Sequence, residues 1–442
     1  MEKYKSYKPS GIDWIGEIPH NWEVGKLKHN SELNISSVDK HIFDDEISVR
    51  VCNYTDVYYN ENISNELDFK IGSCTETEYD KFLLKKGDVI ITKDSESPND
   101  IGVPSYVTDE LENVVCGYHL SIIKSKSESL LGGYLFRQLQ TKRVRRYFEI
   151  NSNGITRFGL GKSSVLELPL LLPSISEQNQ IVQYLDEKTD LIDKLISTKE
   201  RKITLLKEQR TSLINQVVTK GLNPNVKMKD SGVEWIGEIP IHWNLIKMKH
   251  KGDVIIGLSY SPEDIVDEGE GILVMRSSNV QEGKPSFLDN VYVSSKIPNK
   301  LLLKKGDILI CSRNGSRRLI GKNCMITENE EGMTFGVFMT IYRSNYSRFM
   351  YWLLNSPIFE SQSGLFLTST INQLTVSTLQ NMILPFVEDK EEQNQIVSFL
   401  DSKTKEIDDM ISLEQTKIDL LKEYRQSLIS EVVSGKIKVT TD

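Results

Sequence analysis

The chain has few of the residues and patterns on which secreted or metal-binding proteins depend. Its cysteines are five in number (Cys52, Cys74, Cys116, Cys311 and Cys324), and no two of them form a CxxC pair. An odd number of widely separated cysteines is typical of reduced thiols in the cytoplasm rather than of a disulfide framework. Neither these cysteines nor the six histidines have the spacing of a zinc site. We therefore expect a cytoplasmic location and no metal.

Long hydrophobic runs are also missing. No apolar segment approaches the roughly 20 residues that cross a bilayer, and the first residues do not open a signal peptide, so we expect no membrane association. The composition is that of a globular protein, with 38% hydrophobic and 26% charged residues. A net charge of −8 argues weakly against a polyanionic partner, but the clustering of basic residues matters more than their sum. A length of 442 residues indicates two or more domains.

Catalytic motifs are the third absence. There is no GxGxxG signature and no Asn/Asp-Pro-Pro-aromatic tetrapeptide. Residues 156–163 resemble a phosphate-binding loop, but Thr156 stands at its first glycine position and no apolar strand precedes it. The matched carboxylates Asp88 and Asp307 are better explained by a Gly-Asp turn before a strand than by a nuclease site. We predict that the chain is not an enzyme.

One long stretch is present twice, at residues 177–221 and 392–436. Neither copy contains proline, each begins with a capping pattern, and Gly221 and Gly435 lie near the ends. Apolar residues follow one helical face in both copies, so each predicts a helix of about 44 residues, roughly 65 Å long. The stripe consists of Ile181, Leu185, Ile192, Leu195, Ile196, Ile203, Leu206, Leu213, Ile214 and Val217, and of Ile396, Leu400, Ile407, Met410, Ile411, Ile418, Leu421, Leu428, Ile429 and Val432. Such a stripe needs a partner, and the other copy, packed antiparallel as a coiled coil, is the simplest one.

The rest of the chain is duplicated as well. Residues 10–19 recur at 231–240, and residues 83–91 recur at 302–310. The predicted organisation is a first globular domain at 1–172, a helix at 173–221, a linker at 222–230, a second globular domain at 231–387, a helix at 388–436 and a tail at 437–442. If the halves are equivalent, the start of the chain packs where the second helix ends.

Short strands dominate each globular domain, so the predicted class is α+β. β-Branched residues between turn residues mark the strands, which are expected at 46–51, 87–92, 114–123, 271–276, 306–312 and 334–343. A short helix is expected near 133–148, with its counterpart near 346–362. The two domains share this scaffold and differ in the loops between its elements, which suggests two different targets.

Basic clusters fall at turns in both halves. Residues 137–162 carry seven cations against one acid, with aromatic residues between them, and residues 312–322 carry four cations and no acid. Such side chains suit phosphate contact and recognition of base edges. The candidate DNA-binding residues are Asn53, Tyr54, Lys93, Ser95, Asn99, Lys142, Arg143, Arg145, Arg146, Asn153, Thr156, Arg157, Arg276, Ser277, Asn279, Arg313, Asn314, Arg317, Arg318, Thr368, Thr370 and Asn372.

The sequence resembles the DNA specificity subunits of type I restriction–modification systems over essentially its whole length. The most specific element is EQNQIVxxLD followed by LLKExRxSLI, at 177–186 with 205–214 and again at 392–401 with 420–429. The entry motif SGxxWIGExPxxW at 10–22 and the GDxxI motifs at 87–91 and 306–310 are similar to that family too.

The resemblance implies two target-recognition domains, each of which recognises one part of a bipartite, asymmetric DNA site. It implies that the helices set the spacer between the half-sites and dock two methyltransferase subunits. An endonuclease and translocase subunit is implied as an optional further partner. S-adenosylmethionine, ATP and magnesium are then expected only in the partner subunits. The alternative is a two-headed coiled-coil adaptor for protein or glycan ligands, whose binding would depend little on salt.

Overall fold

The computed structural model describes residues 2–39, 41–294, 296–366 and 373–439. It divides into two compact units, one formed by residues 1–199 and 416–442 and the other by residues 200–415. Each unit therefore contains one globular region and a portion of both long helices. The domain limits inferred from the sequence remain predictions. Within the described ranges no helix is both long and apolar enough to cross a membrane.

The strands of the first unit are short, as the sequence predicts. In chain order they are β1 (Tyr7–Pro9), β2 (Glu17–Pro19), β3 (Glu23–Lys26), β4 (Ser31–Ile35), β5 (Ile47–Cys52), β6 (Asn62–Ile63), β7 (Lys70–Cys74), β8 (Val89–Thr92), β9 (Asp94–Ser95), β10 (Pro104–Val107), β11 (Val114–Cys116), β12 (Leu120–Ser125), β13 (Ser152–Gly154), β14 (Phe158–Leu160) and β15 (Pro169–Leu172). The main sheet has the order β4-β12-β8-β10-β6, and a smaller one has the order β11-β5-β7. Strand β8 lies inside the main sheet because all its side chains are apolar or hydroxyl-bearing and buried.

The second unit repeats this plan with shorter pieces. Its strands are β16 (Met228–Asp230), β17 (Glu238–Pro240), β18 (Asn244–Lys247), β19 (Asp253–Ile256), β20 (Ile265–Val266), β21 (Ile272–Met275), β22 (Val280–Gln281), β23 (Lys284–Pro285), β24 (Tyr292–Val293), β25 (Ile308–Cys311), β26 (Asn323–Met325), β27 (Thr334–Phe335), β28 (Met339–Arg343) and β29 (Ile383–Phe386). The order β19-β28-β25-β26 matches four strands of the first unit's main sheet, and β20-β24-β21-β27 matches its smaller sheet.

The helices confirm the mixed α+β class and the two long helices. They are α1 (Leu27–Asn30), α2 (Tyr54–Tyr59), α3 (Glu76–Phe82), α4 (Gly132–Leu139), α5 (Lys142–Asn151), α6 (Lys162–Leu166), α7 (Ile175–Lys220), α8 (Ser347–Leu354), α9 (Pro357–Phe366), α10 (Val376–Asn381) and α11 (Lys390–Val433). The single helix expected at 133–148 was wrong. The hydroxyl of Thr141 caps the first turn of α5, so α4 and α5 are separate helices. The counterpart is likewise divided into α8 and α9.

Two of the predicted strands were also wrong. Residues 114–123 form β11 and β12 with a turn between them, and residues 334–343 form β27 and β28 in the same way. The turns close through the backbone, since the amide of Leu120 donates to the carbonyl of Gly117 (3.0 Å) and that of Met339 to Gly336 (2.8 Å). The residues between these hydrogen-bonded positions leave the sheet in both units.

The long helices pack against each other with the same contacts in each unit. In the second unit Arg210 of α7 pairs with Asp408 of α11 (2.9 Å), and Lys202 pairs with Glu414 (3.0 Å). The number on α11 falls as the number on α7 rises, so the two segments run antiparallel. In the first unit Arg425 pairs with Asp193 (2.9 Å), the same two positions with the helices exchanged. This is the antiparallel pairing predicted from the repeated apolar stripe.

The stripe is buried at most of its positions but not at all of them. Ile181, Leu185, Ile396 and Leu400 have no accessible surface. Leu213, Ile411 and Leu421 are half-buried, and the two exposed positions are Leu195 (45%) and its counterpart Met410 (46%). Periodicity predicted both as parts of the buried seam, and that assignment was wrong.

The beginning of each globular region packs against the first turn of the long helix that follows it. In the first unit a tryptophan of the entry motif, Trp22, is buried and donates its Nε1–H to Glu177 at the start of α7 (3.1 Å). In the second unit Trp243 makes the same bond to Glu392 at the start of α11 (3.0 Å). The chain start also reaches the end of α11, where the Tyr7 hydroxyl donates to the Gly435 carbonyl (3.1 Å). The expected packing of the chain start on the second helix is confirmed.

Candidate nucleic-acid interface

Strand ends in the second unit surround an open cleft with a volume of about 930 Å³. Arg276 and Ser277 lie just after β21, and Arg313 and Asn314 lie just after β25, so two neighbouring loops supply the predicted residues. The Asn314 amide donates to the Ser277 hydroxyl (3.0 Å) and joins the loops. Guanidinium and amide groups of this kind can recognise guanine and adenine edges.

Arg276 and Asn279 have different roles although they lie in one turn. Arg276 lines the cleft and pairs with Asp289 (2.8 Å). Asn279 has no accessible surface, and its amide donates to the carbonyls of Ser286 (3.0 Å) and Asp289 (3.1 Å). Because these bonds hold the loop and the side chain is enclosed, the prediction of Asn279 as a DNA contact was wrong.

The first unit places a charged cluster at the equivalent strand ends. Asp94, which follows β8 as Arg313 follows β25, accepts a hydrogen bond from the Arg157 guanidinium (2.6 Å). His119, in the turn between β11 and β12, lies with its Nδ1 2.9 Å from the other oxygen of Asp94. Tyr54 meets the edge of the His119 ring, with the ring centres 6.5 Å apart. The tertiary structure thus brings Tyr54 and Arg157 together, although they are distant in sequence.

Tyrosines border this cluster and are protonated at neutral pH. Partial burial raises the pKa of Tyr54, and the neighbouring carboxylates Asp100 and Asp94 act in the same direction. Tyr58 stacks on Tyr54 and donates its hydroxyl to Asp100 (2.6 Å), which raises the pKa of Tyr58 to about 12. Both hydroxyls therefore remain hydrogen-bond donors at any physiological pH.

Helix α5 carries the basic cluster of the first unit, but its cations are not equivalent. Lys142 and Arg145 are exposed on neighbouring turns of the helix. Arg143 donates to the carbonyl of Ile15 (3.3 Å), and Arg146 pairs with Glu149 (2.7 Å). No acid lies in the first turn of α5, so its positive charges face the positive end of the helix dipole. This unfavourable placement indicates a function for the charges outside folding.

The remaining predicted residues have different positions. Asn53 is the N-cap of α2, and Ser95 is buried in β9. Lys93 is half-buried beside them, and Asn99 hydrogen-bonds to Ser97. Exposed positions are taken by Asn153, Thr156, Arg317 and Arg318. Thr368, Thr370 and Asn372 lie outside the described residues.

Besides Asp94, the sequence did not predict four residues that belong to these sites. They are Tyr118 and His119 in the first unit and Val337 and Phe338 in the second, all in the turns that interrupt the expected strands. The matched glycines Gly117 and Gly336, each inside a predicted strand and directly after the observed one, were the available signal. Asp94 was missed because an acid is an unexpected neighbour of DNA.

Apolar side chains also remain exposed on the helices, at equivalent positions in both units. Leu205 and Leu420 are 55% and 59% exposed, and Leu195 and Met410 are exposed as stated above. The first unit therefore presents Leu195 and Leu420, and the second presents Leu205 and Met410. Where such side chains form one contiguous surface, they are typical of a contact with another protein. Within the described ranges no three His, Cys, Asp or Glu side chains are grouped to hold a metal.

Comparison with known proteins agrees with this geometry. Residues 19–205 match the family model of the type I restriction modification DNA specificity domain. A putative type I restriction enzyme MjaX specificity subunit from Methanocaldococcus jannaschii is 24% identical, over 97% of this chain and 96% of that protein. A chain from a structural study of complex assembly and conformational transition of the type I R-M system covers 95% of this chain and 99% of its own length, with a TM-score of 0.73 at 15% identity. The HsdS subunit from Thermoanaerobacter tengcongensis gives a TM-score of 0.53 at 15% identity, with 95% and 98% of the two chains covered.

Proposed function

We infer that the chain belongs to the type I restriction–modification DNA specificity family and is the non-catalytic DNA-recognition subunit of such a system. The observation that carries this inference is the presence of polar and charged side chains at equivalent strand ends in both units. A repeated scaffold with different residues at the same loops suits two different half-sites. The two units thus recognise the two parts of an asymmetric, bipartite sequence.

Charge at the candidate sites supports duplex DNA over a protein or glycan ligand. Arg276 and Arg313 line the cleft of the second unit, and α5 presents Lys142 and Arg145 in the first. Cations beside open loops attract phosphates, and the guanidinium fork matches the O6 and N7 acceptors of guanine. An adaptor for uncharged ligands would gain nothing from these residues.

The experiment is methylation mapping in a host that carries this chain and its methyltransferase. We expect methylation in one bipartite motif, with the two specific parts separated by a fixed number of unspecified base pairs. The variant Arg313→Ala should change the second part and leave the first part intact. Tyr54→Phe with Arg157→Ala should do the opposite. Methylation that remains unchanged in both variants would contradict the assignment of these loops.

The exposed helix residues are proposed as the docking surface for methyltransferase subunits. Because each unit presents the same exposed pair of positions, one methyltransferase per unit, and thus two per chain, is the stoichiometry proposed. An endonuclease subunit is proposed to join this assembly through its methyltransferases. S-adenosylmethionine, ATP and magnesium are assigned to these partners, and we place the assembly in the cytoplasm.

The long helices are proposed to set the spacer. Each residue added to a helix lengthens it by about 1.5 Å, so four residues add about 6 Å, nearly two base-pair steps. Since the unit division falls between residues 199 and 200 of α7 and between 415 and 416 of α11, a matched insertion is made at both places. We expect the spacer to grow by one or two base pairs, with both half-sites unchanged. A changed half-site with the old spacer would refute the role of the long helices in setting the spacer.

A further inference from the structure

One exposed aromatic residue in the second unit has its backbone held by three hydrogen bonds. Phe338 is 52% exposed, in the turn between β27 and β28. Its carbonyl accepts hydrogen bonds from the amide of Ser312 (3.0 Å), the amide of Arg313 (3.1 Å) and the hydroxyl of Ser312 (3.0 Å). The backbone that carries the ring is thus fixed to the end of β25.

The ring of Phe338 also positions a cation. The Arg313 guanidinium lies over it, with 5.1 Å between the central carbon and the ring centroid. Stacking of this kind restricts the plane of the guanidinium while leaving its N–H groups free to donate. Both residues line the cleft between the strand-end loops, and Val337, beside them, is 38% exposed.

The first unit has a counterpart with different chemistry. The amide of Lys93 donates to the carbonyl of His119 (3.0 Å), as Ser312 does to Phe338. At this position His119 pairs with Asp94, whereas Phe338 carries Arg313. The same backbone frame therefore presents an acidic, hydrogen-bonding pair in one unit and an aromatic, cationic pair in the other. A position that is rigid in the backbone and variable in the side chain is suited to determining specificity.

We propose that Phe338 is a specificity-determining residue that contacts the C5 methyl group of a thymine adjacent to a guanine bound by Arg313. The inference rests on the proposed function and names the base step recognised by the second unit. Arg313 donates from its fork to O6 and N7 of the guanine. The part of the phenyl ring that Arg313 leaves open meets the neighbouring base in the major groove. Thymine is the base that offers an apolar group there, since cytosine lacks the methyl.

The test uses the complex of this chain with its methyltransferase and DNA that contains the mapped site. Deoxyuridine replaces the thymine, which removes one methyl group and nothing else. For the unmodified chain we expect binding about four-fold weaker, the equivalent of leaving one methyl group unburied. Phe338→Ala should bind thymine and deoxyuridine equally, and Phe338→Leu, which keeps an apolar side chain, should retain part of the difference. Phe287→Ala is the matched control, because it removes another exposed phenyl ring of the second unit that does not line the cleft, and it should keep the full four-fold effect.

Several results would overturn the proposal. One is a second half-site with no thymine next to a guanine, and another is an unmodified chain that does not distinguish the two bases. Retention of the four-fold difference in Phe338→Ala would exclude the ring as its source. Continued recognition of the first half-site by Phe338→Ala shows that the variant is folded. If no sequence-specific binding occurs in any form of the chain, the proposed function itself fails, which is a distinguishable outcome.

Discussion

Neutralising Lys142 and Arg145 should weaken DNA binding without lowering the stability of the fold. Both cations are candidate phosphate contacts, and both lie where positive charge opposes the helix dipole. Both are exposed on α5, whereas Arg143 and Arg146 are engaged by Ile15 and Glu149. The double variant Lys142→Gln, Arg145→Gln removes two candidate phosphate contacts. It also removes positive charge from the N-terminal half of a helix whose first turn has no acid.

The magnitudes follow from counterion release. Each phosphate contact contributes about 0.9 to the slope of log K against log salt, so the slope should fall by about 1.8. At about 0.15 M salt this corresponds to roughly 30-fold weaker binding to any duplex. The free energy of unfolding should stay constant or rise by up to about 1 kcal/mol, since a charge that opposes the helix dipole is removed.

The assay is a salt titration of DNA binding by fluorescence anisotropy, with urea unfolding of the same samples. The control is Lys85→Gln, Lys86→Gln, which removes the same net charge at the opposite end of β8 from the candidate residues. It should leave the slope unchanged. An unchanged slope in the α5 variant, or an equal fall in the control, would refute the assignment of α5 to the phosphate backbone.

Three further perturbations test the fold and its partners. Ile429 is fully buried, so Ile429→Ala should lower the free energy of unfolding, measured in urea, by about 2–5 kcal/mol. Leu420 is 59% exposed, so Leu420→Ala should change the free energy of unfolding little but should reduce co-purification of the methyltransferase. Gly435 and Gly221 both have φ of +71°, but a Cβ would lie 2.4 Å from Pro19 at Gly435 and no nearer than 3.4 Å to any atom at Gly221. Gly435→Ala should therefore lower the melting temperature more than Gly221→Ala, and equal effects would mean that φ alone matters. Hydrogen bonds from Lys26 and Lys28 lower the pKa of Glu167 to about 2. The contribution of Glu167 to stability is therefore present above its usual pKa of about 4.3 and is lost as the pH falls towards 2. NMR titration of Glu167 should give a midpoint near 2, and this midpoint should rise in the double variant Lys26→Gln, Lys28→Gln.

Much of the architecture follows from the sequence because repetition and periodicity can be recognised without knowledge of the tertiary packing. The stripe that begins at Ile181 and Ile396 predicted two long helices, and the observed helices span Ile175–Lys220 and Lys390–Val433. The matched entry motifs predicted that the chain start meets the second helix, as the bond from Tyr7 to Gly435 shows. Antiparallel pairing followed from the symmetry of the repeat.

The site was only partly predictable, since its residues meet through long-range packing. Asp94, His119 and Arg157 come from three separate elements, and no spacing in the chain relates them. The turns at Gly117 and Gly336 were hidden because the apolar residues on both sides fit one continuous strand. The chain leaves the sheet at each turn because the neighbouring strand ends there.

The sequence by itself determined the duplication, the long helices and the α+β class, because a repeated motif is found by comparing the two halves and a 3.6-residue period depends on neighbouring residues alone. The tertiary structure decided which apolar positions are covered and which polar ones are free. Leu195 fits the stripe as well as Ile196 does, yet one is 45% exposed and the other 8%. Asn279 and Arg276 lie in one polar turn, yet only Arg276 reaches the cleft. Periodicity defines the direction of a side chain, and burial depends on whether another part of the chain occupies the space it faces.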